Sequence, residues 1–213
     1  METTLYTRYP ALEVCREDLD AVIDRLIEIY EAGGKLLICG NGGSAADSGH
    51  IVGELMKGFL KKRSIPQEEK ETMKAASPTL SDDTLSKLQV GLPAIALPEF
   101  SAALSSAFAN DADPALTFAQ QAWVYARPGD VLLGITTSGN SRNVVLAAQA
   151  ARARGAKVIG LTGAKLGRLA PLCDVLLNVP DTETYRIQEL HLPVYHAICL
   201  ELEERFFGKE QNI

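Results

Sequence analysis

The sequence predicts an α/β protein whose parallel sheet is covered by helices on both faces. Three observations carry this. Short apolar runs recur at 35–39, 93–97, 131–136, 157–161 and 174–179. Stretches of helical spacing alternate with them, at 44–59, 101–110, 114–126 and 141–154, and a last one covers 184–207. Polar glycine loops follow two of the apolar runs directly, GNGGS at 40–44 and TTSGNS at 136–141. Short apolar runs of this kind suit strands buried on both faces. Their alternation with helices suits parallel βαβ units.

The elements follow in order. Residues 11–33 carry Leu12, Leu19, Val22, Ile23, Leu26, Ile27 and Tyr30 between acidic residues, one apolar stripe at helical spacing. Gly33-Gly34 closes that helix, and its stripe serves the core or a partner helix. The first strand, the GNGGS loop and the helix over 44–59 come next. Residues 60–92 break the rhythm, being polar, charged and interrupted by prolines. They are too long for an ordinary connection, so they are either disordered or a helical insertion that covers a site. Alternation then resumes to the end of the chain. The whole, 1–213, suits one domain in which 1–34 is an added helical element.

Composition narrows the function. The formal net charge is −6, and the basic residues cluster only at Lys57, Lys61, Lys62 and Arg63. This excludes nucleic-acid or membrane binding through general charge, and the cluster reads as a solvated face or a local site for an acidic group. Cys15, Cys39, Cys173 and Cys199 form no C-x-x-C pair, and two of them lie in apolar surroundings. They read as small buried hydrophobes in a reducing compartment. The N-terminus has no apolar signal core and no run is long enough to span a membrane, so a cytoplasmic protein is expected.

Chemistry concentrates at the carboxyl ends of strands, where open parallel sheets bind ligands. The TTSGNS loop offers the hydroxyls of Thr136, Thr137, Ser138 and Ser141. The following helix adds free backbone N–H groups and a partial positive charge, a setting for a phosphate monoester. The GNGGSA stretch fits the dinucleotide pattern G-x-G-x-x-A, but no second strand with a terminal acid follows at the required distance. A P-loop is excluded because no G-K-[ST] follows. His50 and Glu54 stand four apart and share a helix face. In the last helix Gln188 and His196 stand eight apart, about 12 Å of rise, and Pro193 between them can bend the helix. Together these four offer N and O donors suited to Zn²⁺. His191 competes with His196 for that place, or simply packs.

These stretches together resemble the sugar isomerase (SIS) domains, and within them the phosphoheptose isomerases. The carriers are CGNGGSAADSGHIVGEL at 39–55, FANDADPALTF at 108–118, GDVLLGITTSGNSRNVV at 129–145, KVIGLTG at 157–163 and RIQELHLPVYH at 186–196. The resemblance implies a flavodoxin-like sheet of five parallel strands flanked by helices. It also implies a homotetramer assembled partly through the N-terminal helix, with active sites at subunit interfaces. It places metal ligands on His50, Glu54, Gln188 and His196, with one Zn²⁺ per subunit. Phosphate-binding hydroxyls fall on Thr136, Thr137, Ser138 and Ser141, with Thr136 where Ser is more usual. Sugar contacts fall on Asn41, Gly42, Ser44, Asp111 and Gln188. Two departures stand out: Tyr185 occupies a position that is often Asp just before R-I-Q-E, and 60–92 is longer than the usual connection.

The expected activity is aldose–ketose isomerisation of a phosphorylated sugar, sedoheptulose 7-phosphate to D-glycero-D-manno-heptose 7-phosphate. Glu54 is the expected general base and His196 the expected acid. Two other readings stay open. One is a non-catalytic SIS protein, either a phosphosugar-binding regulator or a partner of the replication initiator DnaA. The other is an isomerase of a different phosphosugar, with 60–92 as a specificity lid.

Overall fold

In the computed structural model, residues 2–208 are described. The five apolar runs form five strands: β1 Leu36–Cys39, β2 Ala94–Ala96, β3 Val131–Thr136, β4 Lys157–Thr162 and β5 Val175–Asn178. All pair in parallel, in the order β2-β1-β3-β4-β5, which is the flavodoxin-like order. The period-2 alternation of strand side chains divides the core in two. Leu36, Ile38, Leu133 and Ile135 face one layer of helices, while Leu37, Cys39 and Leu132 face the other.

The first layer holds α2 (Arg16–Glu31), α3 (Gly43–Met56) and α9 (Thr184–Phe207), through Val22, Leu26, Ile51, Leu55, Val194 and Ile198. The second holds α7 (Thr117–Tyr125) and α8 (Arg142–Ala153), through Phe118, Ala122, Val144 and a run of buried alanines. Helix α6 (Ser101–Asp111) precedes α7. Among the described residues no helix is long and apolar enough to cross a membrane, and the four cysteines are free thiols.

The N-terminal element differs from a single helix over 11–33. Helix α1 (Glu2–Arg8) comes first, then a 3₁₀ segment Pro10–Cys15, and α2 begins only at Arg16. Pro10 has no backbone donor and opens the 3₁₀ turn after Tyr9, whose backbone is not helical. Helix α3 also stops sooner than 59, because Lys57 is extended.

Residues 60–92 carry two short helices, α4 (Gln67–Ala76) and α5 (Asp82–Lys87). The excursion closes on itself at its base. Ser64 and Gln89 form an antiparallel bridge, Val90 N–H donates to the Arg63 carbonyl at 2.9 Å, and Leu92 N–H donates to the Leu55 carbonyl at 2.9 Å. Leu85 is its one fully buried leucine.

The basic cluster is not a uniform solvated face. Arg63 is buried, donating from Nε to Glu203 Oε1 at 2.9 Å and from Nη1 to the Leu55 carbonyl at 2.7 Å. Glu203 also accepts the N–H groups of Phe59 and Leu60 at 2.8 and 2.7 Å. Burial would raise its carboxyl, but those N–H groups and Arg63 together hold it below the usual range. This pair locks the end of α3 to α9.

Candidate active site

Both predicted loops leave the carboxyl ends of neighbouring strands, β1 and β3. Each turns on a glycine in the left-handed region, Gly42 at φ 54° and Gly139 at φ 67°. An amide pair ties the loops together. Asn41 Nδ2 donates to Asn143 Oδ1 at 2.9 Å, and Asn143 Nδ2 donates back to Asn41 Oδ1 at 2.8 Å. Asn41 was expected to meet sugar; here its side chain is engaged by Asn143, a residue the motif reading passed over.

The TTSGNS loop holds itself in shape. Thr136 Oγ1 and Ser141 Oγ lie 2.8 Å apart, and Asn140 N–H donates to Ser138 Oγ at 3.2 Å. Thr136 is buried. Thr137 and Ser138, with Asn140, line a cavity of about 270 Å³ together with Lys165, Asp181 and Thr182. Thr136 and Ser141 do not line it. Lys165 is exposed and has no ion-pair partner among the described residues. Sequence reading missed it because a lone lysine after a strand carries no pattern.

Helices α3 and α9 run side by side in the same direction, so residues near their starts meet each other and residues near their ends do likewise. Gln188 packs at the start: a Cβ on Gly43 would lie 2.7 Å from its Nε2. Gly43 therefore leaves room for this amide. Ser44 is buried beside it. Further along, His50 Nε2 lies 3.3 Å from Glu54 Oε1 and 3.5 Å from His196 Nε2. Glu54 Oε2 is buried without a hydrogen-bond partner, with Lys57 Nζ 3.7 Å away. Burial and the neighbouring His50 lower the His196 imidazole, while Glu54 pulls the other way.

The expected zinc ligands therefore divide. His50, Glu54 and His196 come together; Gln188 lies about two turns away, over Gly43. The donor chemistry fits zinc, and the orphaned Glu54 oxygen leaves a donor atom in want of a partner. As the side chains stand, no group of three or more His, Cys, Asp or Glu among the described residues forms a metal-holding set.

Two residues behind His50 were not singled out by sequence. Tyr195, buried at 2% exposure, places its hydroxyl 3.0 Å from His50 Nδ1 and donates to Asp47 Oδ1 at 3.2 Å. Burial raises the Asp47 carboxyl, opposed by the Tyr195 hydrogen bond and by His50. Burial and then Asp47 push the Tyr195 phenol up, so it stays protonated. His191, the competing histidine, is fully buried and packs away from this cluster, and burial brings it down to about 4. Asp111 lies exposed at the end of α6, paired with Asn110, and Tyr185 is exposed beside Arg186.

A flavodoxin-like sheet with a hydroxyl loop after β3 and a polar helix pair beside it defines the class: residues 85–163 match the SIS domain. A phosphoheptose isomerase from Roseiflexus sp. is 36% identical over 207 residues, covering 97% of this chain and 91% of its own length. One from Nitratiruptor sp. is 41% identical, with 84% and 82% covered. The chain belongs to the phosphoheptose isomerase family. The structure of phosphoheptose isomerase GmhA from Neisseria gonorrhoeae matches with a TM-score of 0.73 at 32% identity, over 95% of this chain and 94% of that one. The Vibrio vulnificus NanR protein complexed with ManNAc-6P shares the fold, at a TM-score of 0.56 and 16% identity.

Proposed function

We propose that this protein interconverts sedoheptulose 7-phosphate and D-glycero-D-manno-heptose 7-phosphate. The observation that carries this is the meeting of His50, Glu54 and His196 in a chain whose strand-end loop offers a phosphate its hydroxyls. The relatives named phosphoheptose isomerase support the substrate.

Isomerisation moves a proton from C1 of the ketose to C2. That proton is weakly acidic, so removal needs a placed base and a stabilised enediolate. Glu54 takes the C1 proton, and its partly buried carboxylate returns it to C2. His196, beside Glu54 and His50, moves the proton between the C1 and C2 oxygens. Thr137 and Ser138 hold the phosphate with the N–H groups at the start of α8, and Lys165 adds positive charge. Thr136 and Ser141 shape the loop through each other. Gly42 and Gln188 face the sugar chain, while Asn41, held by Asn143, and the buried Ser44 shape the loop beside them. Zinc would be held by His50, Glu54 and His196, with Gln188 left to the sugar over Gly43, and when bound it would supply Lewis-acid polarisation of the carbonyl.

The working form is a homotetramer in the reducing cytoplasm. The four free thiols support the compartment. An apolar cavity of about 450 Å³ between α1, α2 and α9, with His196 and Phe59 in its wall, supports a subunit contact beside the site. Asp111, exposed at the end of α6 two residues before the Asp113 that pairs with Arg142 of α8, would reach the sugar from there. Light scattering on the purified protein checks the tetramer.

The deciding experiment incubates the protein with sedoheptulose 7-phosphate and separately with pentose and hexose phosphates, reading aldose formation. Turnover of the heptose phosphate, with the others at least about tenfold slower in kcat/KM, is expected. Faster turnover of a shorter sugar assigns a different substrate, and no turnover of any sugar, with phosphosugar binding retained, points to a regulator.

A further inference from the structure

We infer that Tyr195 is a positioning residue that keeps a proton on His50 Nδ1, so that in the neutral imidazole Nε2 is the lone pair directed at Glu54 and His196. A phenol has one O–H to donate and lone pairs to accept with. An ionised carboxylate only accepts. Tyr195 Oη stands 3.2 Å from Asp47 Oδ1 and 3.0 Å from His50 Nδ1. With the O–H given to Asp47, the same oxygen can meet His50 only as an acceptor, so Nδ1 must carry the hydrogen. The chain of donation runs His50 to Tyr195 to Asp47.

The opposite tautomer has a gain and a cost. An Nε2–H would donate to Glu54 Oε1, 3.3 Å away. Tyr195 would then turn its O–H to Nδ1 and abandon Asp47. Asp47 Oδ2 is already buried without a partner, so the carboxylate would keep no hydrogen bond among the described residues. Stranding a buried charged group costs more than one hydrogen bond returns. The ring of Tyr195 also fixes that of His50, edge to face at 5.4 Å between centroids and 75° between planes.

Consequently His50 Nε2, Glu54 Oε1 and His196 Nε2 face each other with no proton supplied from His50. Such a cluster calls for a cation. This last consequence rests on the isomerase reading with zinc; the tautomer of His50 does not.

The test is long-range ¹H–¹⁵N NMR on the metal-free, full-length protein with labelled histidine. The wild type is expected to show His50 as the Nδ1–H form. Asp47→Ala keeps the phenol but removes its acceptor, so Tyr195 donates to His50 and the tautomer reverses to Nε2–H. Tyr195→Phe gives a mixture, and its Zn²⁺ affinity, read by competition with a chromogenic chelator, falls about 10–100-fold. A purely structural Tyr195 would not reverse the tautomer in Asp47→Ala. An Nε2–H form in the wild type overturns the inference, as it would if Asp47 were protonated and the chain ran backwards. So does an Nδ1–H form unchanged in Asp47→Ala. These readings decide even if Tyr195→Phe does not fold. A wild type with the Nδ1–H form and no heptose-phosphate turnover would remove the functional reading and leave this inference standing.

Discussion

The TTSGNS loop and the α3–α9 cluster are built by different routes. The loop is local. Thr136, Ser138, Asn140 and Ser141 satisfy one another across a few residues, and the loop is set by β3 before it and α8 after it. The cluster is assembled from residues more than 140 apart in sequence, His50 with Tyr195 and His196. It keeps atoms without partners, Glu54 Oε2 and Asp47 Oδ2. Binding a phosphate needs a fixed cradle, which short-range hydrogen bonds supply. Moving protons needs groups held short of satisfaction, and only distant elements packed together can hold them so.

The largest expected effect separates the two regions outright. Glu54→Gln should lower kcat by about 10³-fold while the affinity for a phosphosugar, measured calorimetrically, stays within about twofold. Full activity in that variant would mean that the base lies elsewhere. Next is the clamp that holds the helices in register. Arg63→Ala strands the Glu203 carboxylate and should cost about 3–5 kcal/mol in chemical denaturation. A loss below about 1 kcal/mol would show that the helix pair does not depend on this ion pair.

His191 gives the cluster's helix a pH dependence that the loop lacks. Neither ring nitrogen has a hydrogen-bond partner in good geometry, although the Thr162 backbone acts against the shift. Burial takes this imidazole from 6.5 down to about 4. Between those values the unfolded chain binds the extra proton and the folded one does not. The contribution is therefore whole above pH 6.5 and is lost as pH falls toward 4, to the extent of about 3 kcal/mol. His191→Leu should flatten the fall of Tm over that window; an unchanged slope assigns the acid sensitivity to other groups. The smallest effect belongs to the loop. Ser138→Ala should raise KM about tenfold with kcat nearly unchanged. A fall in kcat with unchanged KM would place Ser138 with the chemistry instead of the anchor.

Much of this was legible beforehand. Strand positions agree with the apolar runs to within about two residues, since a strand buried on both faces must be apolar throughout. His50 and Glu54 declared themselves by helical spacing, and the loops by glycine and hydroxyl content. The N-terminal element divides where its spacing predicts one helix, because apolar spacing continues through the 3₁₀ segment that Pro10 opens. Arg63 gave no sign of burial, since its partner Glu203 is 140 residues away and looks like any surface acid. Tyr195 has no sequence signal of its own, since His50 and Asp47 lie 145 and 148 residues away.

The sequence by itself determined the layers, the order of elements, the two strand-end loops and the donor types, because each is written in short-range periodicity or composition. Only the tertiary structure decided which donors meet. It paired His50 with His196 and left Gln188 over Gly43, put Tyr195 between Asp47 and His50, and sank Arg63 beneath the end of α3. The reason is geometric: which side chains touch depends on how two helices lie against one sheet, and their relative rotation and register are set by core packing across the whole chain.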